Sequence, residues 1–139
     1  MTFEELDKKL PNGFHDAKLH GISVDFAGAS VVIRIGILTG LPDTESPEGW
    51  RGATLTVRPA YLSYIERPDA SYPFLPQGQP LNVDGSPVTA ARDASIDELL
   101  RALPRGATTF RFFLEEWNSF LCVSGGSVDF SWDDGGHLK

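Results

Sequence analysis

Cysteine is nearly absent from this chain: Cys122 is the only one. A lone cysteine excludes an internal disulfide and a cysteine-rich zinc site. Set among Phe120, Leu121 and Val123, it reads as a small buried hydrophobe rather than a nucleophile. Basic residues are also scarce, with 12 Lys and Arg against 19 Asp and Glu, a formal charge of −7. That balance argues against a nucleic-acid binder, whose affinity depends on neutralising phosphates. It suits a basic protein partner, because opposite fields steer encounter. No apolar run approaches the ~20 residues needed to span a bilayer. No basic-then-apolar segment opens the sequence either, so no membrane partner and a cytoplasmic location are expected. Nucleophile-elbow, phosphate-loop and His-Glu-x-x-His motifs are all missing, so no catalytic residue, no metal and no cofactor is assigned.

What is present indicates one domain, residues 1–139, with 41% apolar and 22% charged residues and enough length for a core without staples. Thr2-Phe3-Glu4-Glu5 matches a capping box, and Phe3, Leu6 and Leu10 recur at helical spacing. Pro11, Asn12 and Gly13 should end that short helix. Ile22, Val24 and Phe26, then Val31, Ile33, Ile35 and Ile37, alternate with their neighbours on either side of a small-residue turn. Such a pattern reads as an antiparallel hairpin with one buried face.

Residues 41–49 read as an acidic loop. A strand over 53–57 should be ended or confined to an edge by Pro59, with a further strand at 61–65. Five prolines between 68 and 87 indicate an excursion that supplies few ladder bonds. Ser95-Ile96-Asp97-Glu98 is a second capping box, and Ile96, Leu99, Leu100 and Leu103 form a helical stripe. Strands follow at 108–116, 120–124 and 127–132, with Gly125 and Gly126 expected to turn between the last two. Residues 133–139 read as a frayed tail. The expected fold is α+β: one curved antiparallel sheet of about six strands. The 95–103 helix packs its stripe on that sheet, and the N-terminal helix covers an end.

The densest chemistry lies at Gly13-Phe14-His15-Asp16-Ala17-Lys18-Leu19-His20. Imidazole and carboxylate together suit a divalent metal or general acid–base work. But His15 and His20, five apart, would face opposite sides of a regular strand, and no further ligand stands beside them. The preferred reading has Asp16 shape the turn into the first strand while His15 bonds to backbone; His15, Asp16 and His20 stand as candidate binding residues. Glu115 and Glu116, adjacent on a strand, point apart and read as a solvated end. Trp50 and Trp117 are candidate interface anchors, since Trp is enriched at interfaces.

The run Gly13-Phe14-His15-Asp16-Ala17 followed by Val24-Asp25-Phe26 resembles small bacterial β-rich proteins that open with a Phe/Leu-His-Asp-Ala/Ser motif. Phe112 to Trp117 and Val128 to Trp132 are similar in character to their later strands. Some of these proteins look like immunity proteins of contact-dependent or polymorphic toxin systems; many have no assigned function. The resemblance implies a stand-alone β-rich domain that acts by binding another protein. The leading expectation is therefore a non-enzymatic protein-binding domain, an immunity-type inhibitor of a basic toxin. Two alternatives stay open: a small enzyme or metal-dependent protein centred on His15, Asp16 and His20, and a small-ligand-binding β cup rimmed by residues 68–87.

Overall fold

Strand pairing closes on itself. In the computed structural model, which describes residues 1–40, 49–71, 78–87 and 94–138, six strands form a closed antiparallel barrel. The elements in chain order are α1 (Phe3–Lys9), β1 (Pro11–Phe14), β2 (Ala17–Asp25), β3 (Ser30–Leu38), β4 (Trp50–Ile65), β5 (Leu81–Pro87), α2 (Ala94–Arg101), β6 (Thr108–Leu114) and β7 (Ser119–Trp132). Around the barrel the order is β2-β3-β4-β7-β6-β5, and β5 returns to β2. The expected curved sheet is therefore corrected to a barrel. The closing strand, β5, comes out of the proline-rich segment. Leu81, Asn82 and Val83 pair with Leu19, Lys18 and Ala17 there, on a stretch that Pro80 precedes and Pro87 ends.

Two further expectations change for related reasons. Pro59 does not end a strand: β4 runs through it for 16 residues. Pairing with β3 stops at Val57, and the β4–β7 register slips between Ala60 and Leu62. A residue with no N–H is tolerated at such a bulge. Nor do Gly125 and Gly126 make a turn; β7 continues through them for 14 residues. There the inward face switches from Leu121 and Val123 to Val128 and Trp132, all buried. A Cβ on Gly125 would run into Val57 Cγ1 and lie 2.7 Å from the Pro59 carbonyl oxygen, so the crossing of β4 and β7 needs glycine.

The hairpin of β2 and β3 forms, but the expected buried face is corrected at its far end, where Val24 and Phe26 are 43% and 91% exposed because the β2–β3 turn runs past the core; β2 also begins earlier and is bulged. Leu19 pairs with Ile35 and Gly21 with Arg34, leaving His20 as the extra residue. Inward positions are Ala17 and Leu19 before the bulge and Ile22 after it, so the slip keeps both halves of the strand facing the core.

The core is aromatic at one end. Phe110 stacks on Phe3 at 5.2 Å and meets Phe14 and Phe112 at 4.9 Å each. Gly85 allows this, because a Cβ there would lie 2.8 Å from Phe14 Cβ and overlap the Phe110 ring. The capping box at Thr2 and Glu5 starts α1, which brings Phe3, Leu6 and, just beyond it, Leu10 onto this end of the barrel. Thr108 Oγ1 accepts a bond from the Phe3 N–H at 2.8 Å and Asp7 accepts from the Phe14 N–H at 3.1 Å. Among the described side chains, α1 supplies the helical part of the core. Of α2 and its continuation, Leu99 is 52% exposed, Leu100 and Leu103 are half-buried, and none enters the core. The capping residues 95–97 as side chains, and the acidic loop at 41–48, lie outside the described residues. The C-terminal stretch is tied down: Arg51 donates twice to Asp134, at 2.8 and 2.6 Å, Thr54 donates to Asp133, and Leu138 packs on the core.

Phe110→Ala should destabilise the fold by about 3–5 kcal/mol, the range for emptying a buried aromatic site. Phe26→Ala, at a 91% exposed position in the hairpin turn, should change stability by about 0.5 kcal/mol or less. Urea denaturation of both variants checks this, and comparable losses would contradict the core assignment.

Candidate functional site

Two adjoining features stand at the seam where β5 closes onto β2. The first is a polar cluster on the barrel's outer side. The β1–β2 turn sets Asp16 in the left-handed region, φ +53°, which Asp tolerates better than most side chains. Its N–H donates to Asp84 Oδ1 at 3.0 Å, and its carbonyl accepts from Trp50 Nε1 at 2.9 Å. His15 lies between the acids, with Nδ1 3.0 Å from Asp84 Oδ1 and Nε2 3.3 Å from Asp16 Oδ2. Trp50 in turn carries the Lys18 ammonium over its ring, 4.1 Å from the centroid. The turn, the start of β4 and the middle of β5 are thereby clamped together by exposed groups.

The second feature is a cleft of about 480 Å3 at the barrel end away from α1. Leu19, Ile22, Leu81, Leu114 and Leu121 supply its apolar lining, with Ile65 and Trp117 at the sides and Glu116, Gln79 and His20 at the rim. The residues come from the bulged part of β2, the approach to β5 and its first residue, the end of β6, the β6–β7 turn, the start of β7 and the end of β4. Glu116 is held by Asn82, whose N–H donates at 3.0 Å and whose Nδ2 donates at 2.6 Å. Beside it Glu115 has its carboxyl pushed above the ordinary value by partial burial, then by Asp84, Glu116 and Asp16 nearby. Ser119 pairs with Leu114 in the wall behind the cleft, and its buried hydroxyl has no hydrogen-bond partner among the described residues.

Of the residues singled out from sequence, His15, Asp16 and Trp50 come together in the polar cluster. His20 and Trp117 do not join them; both line the cleft. The His20 ring lies over Gly36 on the outer face, where a Cβ would stand 3.5 Å from Nε2. Asp84, absent from the sequence reading, is the third member of the cluster. His15, Asp16 and Asp84 could each offer one ligand atom to a divalent ion, these atoms lying within 4.8 Å of one another. Asp84 sits in the proline-rich stretch that read as an excursion, so only the strand pairing reveals it. Glu115 and Glu116 were visible as a pair, but they belong to the turn after β6 and not to the strand. Cys122 is buried, and burial raises its thiol pKa, which disfavours the thiolate.

Comparison of the chain with protein-family models, with curated proteins and with solved structures finds no match. No helix among the described residues is long and apolar enough to cross a membrane. Fold and site together define a small antiparallel barrel with a helix over one end and, among the described residues, an apolar cleft lined by Glu116 at the other.

The raised Glu115 carboxyl has a pH signature. A folded-state value above the unfolded one adds stability while the group is protonated, and that stability is lost as pH rises through the folded value. Glu115→Gln should therefore raise the melting temperature at neutral pH. The gain should vanish below pH 4.5, the ordinary glutamate value. Thermal melts of both proteins across that range check it, and a gain that persists at low pH would point to another cause.

Proposed function

We propose that this chain is a non-enzymatic binding domain that receives part of a basic protein in its end cleft, as an immunity-type inhibitor does with a toxin. The observation that carries this reading is the cleft itself: an apolar recess lined also by Trp117 and by the Glu116 carboxylate. Ligand pockets of this kind run from about 300 to 1,000 Å3, mostly apolar with a few placed polar groups. The formal charge of −7 favours a basic partner through steering. The resemblance to immunity proteins around His15 and Asp16 points the same way. The polar cluster has a supporting part here, since it fixes the β1–β2 turn and Asp84 beside the rim.

A second reading, a cup for a small ligand, draws on the size of the cleft, about 480 Å3, which falls in the range of small-molecule sites.

The test uses tagged full-length protein and an Ile65→Asp variant, chosen because Ile65 lines the cleft yet is 50% exposed, so the fold should survive. Each is used to capture proteins from the encoding organism at low and high salt. One basic protein should bind the parent chain, more weakly at high salt, and fail to bind the variant. Its toxicity should be relieved by the parent chain alone. Capture of no protein in either condition would sink the protein-binding reading, and a small molecule extracted from the purified parent but not the variant would favour the cup.

A further inference from the structure

Glu116 is the one carboxylate among the described residues that line the cleft, and the Arg34 guanidinium lies against Gly21 on another side of it. Glu115 and Glu116 follow each other in the β6–β7 turn, and every charged neighbour acting on Glu115 is an acid: Asp84, Glu116 and Asp16. Lys18, the nearest lysine along β2, is engaged over the Trp50 ring. Glu116 is preorganised by Asn82, with both its carboxylate oxygens 3.0 Å from the Asn82 backbone nitrogen. A fixed carboxylate beside an apolar recess is a ready acceptor for an incoming cation, because little ordering remains to be done on binding.

The backbone at the side of the cleft is also available. From Leu62 to Ile65, β4 pairs with β7 and, among the described residues, with no strand on its other edge. The Glu66 N–H donates to the Phe120 carbonyl at 2.8 Å. By antiparallel alternation Tyr64 and Leu62 also face β7, which leaves the backbone groups of Ser63 and Ile65 on the open edge. An extended chain can add to such an edge, its main chain giving affinity and alternate side chains giving specificity.

We infer that the cleft recognises an extended segment of a basic partner, in which an apolar side chain enters the recess and an adjacent Lys or Arg pairs with Glu116 and Glu115. This rests on the binding reading above and names the element it recognises. Desolvation of the apolar side chain supplies affinity, while the cation removes the mutual repulsion of the rim carboxylates. An acidic segment of equal hydrophobicity would add to that repulsion and be rejected.

The test measures binding of three short synthetic peptides by titration calorimetry: alternating Leu–Lys, Leu–Glu and Ser–Lys. The Leu–Lys peptide should bind, with affinity falling as salt rises, and the other two should bind at least about tenfold more weakly. Glu116→Gln should lower Leu–Lys affinity about tenfold, the scale of a hydrogen bond to a charged group. Glu115→Gln, which leaves the Asn82 bonds intact, should lower it less, and melting temperatures confirm that both variants fold. Equal binding of Leu–Lys and Leu–Glu, no binding of Leu–Lys, or no effect of Glu116→Gln would each overturn the inference. If no peptide binds while Ile65-dependent capture of a partner persists, this recognition element falls and the binding reading stands.

Discussion

Three residue pairs hold this molecule in its shape: Ala17, Lys18 and Leu19 of β2 against Val83, Asn82 and Leu81 of β5. Without them the strands form an open sheet with two long edges, the arrangement that invites unwanted pairing. With them the sheet closes, and the inward residues of all six strands share one core. The short seam also decides where chemistry can gather. Asp84 follows Val83 on β5 and Asp16 precedes Ala17 on β2, so closing the seam brings them together with His15 between. Asn82, in the middle of the seam, is the residue that fixes Glu116 at the cleft.

Closure over so few strands demands strong coiling, and the chain provides it at two irregular places. At His20 an extra residue lets β2 turn away from β5 while its apolar side chains stay inward. At Gly125 and Gly126 the long β7 changes its inward face as it crosses β4, where any side chain would strike Val57 or Pro59. Bulges and glycine kinks of this kind are the usual means of bending a sheet into a barrel. The cleft follows from the first of them. Beyond Leu19 β2 has no β5 partner, and Ile22 and Leu81 are left only partly covered.

Much of the fold was legible because the alternating residues are unambiguous. Ile33, Ile35 and Ile37 on β3 and Phe110, Phe112 and Leu114 on β6 can bury one face only as strands, and Thr2 with Glu5 caps α1 through local bonds. What escaped was whatever depends on partners distant in sequence. Leu81, Val83 and Asp84 look like loop residues between prolines until β2 and β6 are set on either side. The run through Pro59 is explicable only once β3 is known to stop short of it. The helical stripe of α2 was legible as a helix, but its packing was not, because periodicity states which face is apolar and not what covers it. The site divided the same way: His15 and Asp16 were visible as neighbours, while the third acid and the cleft lining came from pairing.

The placement of acids at the open end carries a physical tension. A barrel of this size gains its stability from burying apolar surface, yet it leaves Ile65 and Trp117 beside water and crowds Glu115 against three other carboxylates. Neither arrangement favours the isolated fold. Exposed apolar surface forgoes hydrophobic gain, and like charges held close resist the folded state. Both penalties fall when a complementary surface covers the recess and brings a cation to its rim. The opposite end shows the contrast, with Phe3, Phe14 and Phe110 sealed under α1 and held there by Thr108 and Asp7. Local stability is commonly lowest where proteins bind. The asymmetry between a sealed end and a charged, open one is what directs attention to the cleft, with the His15–Asp84 clamp as its brace.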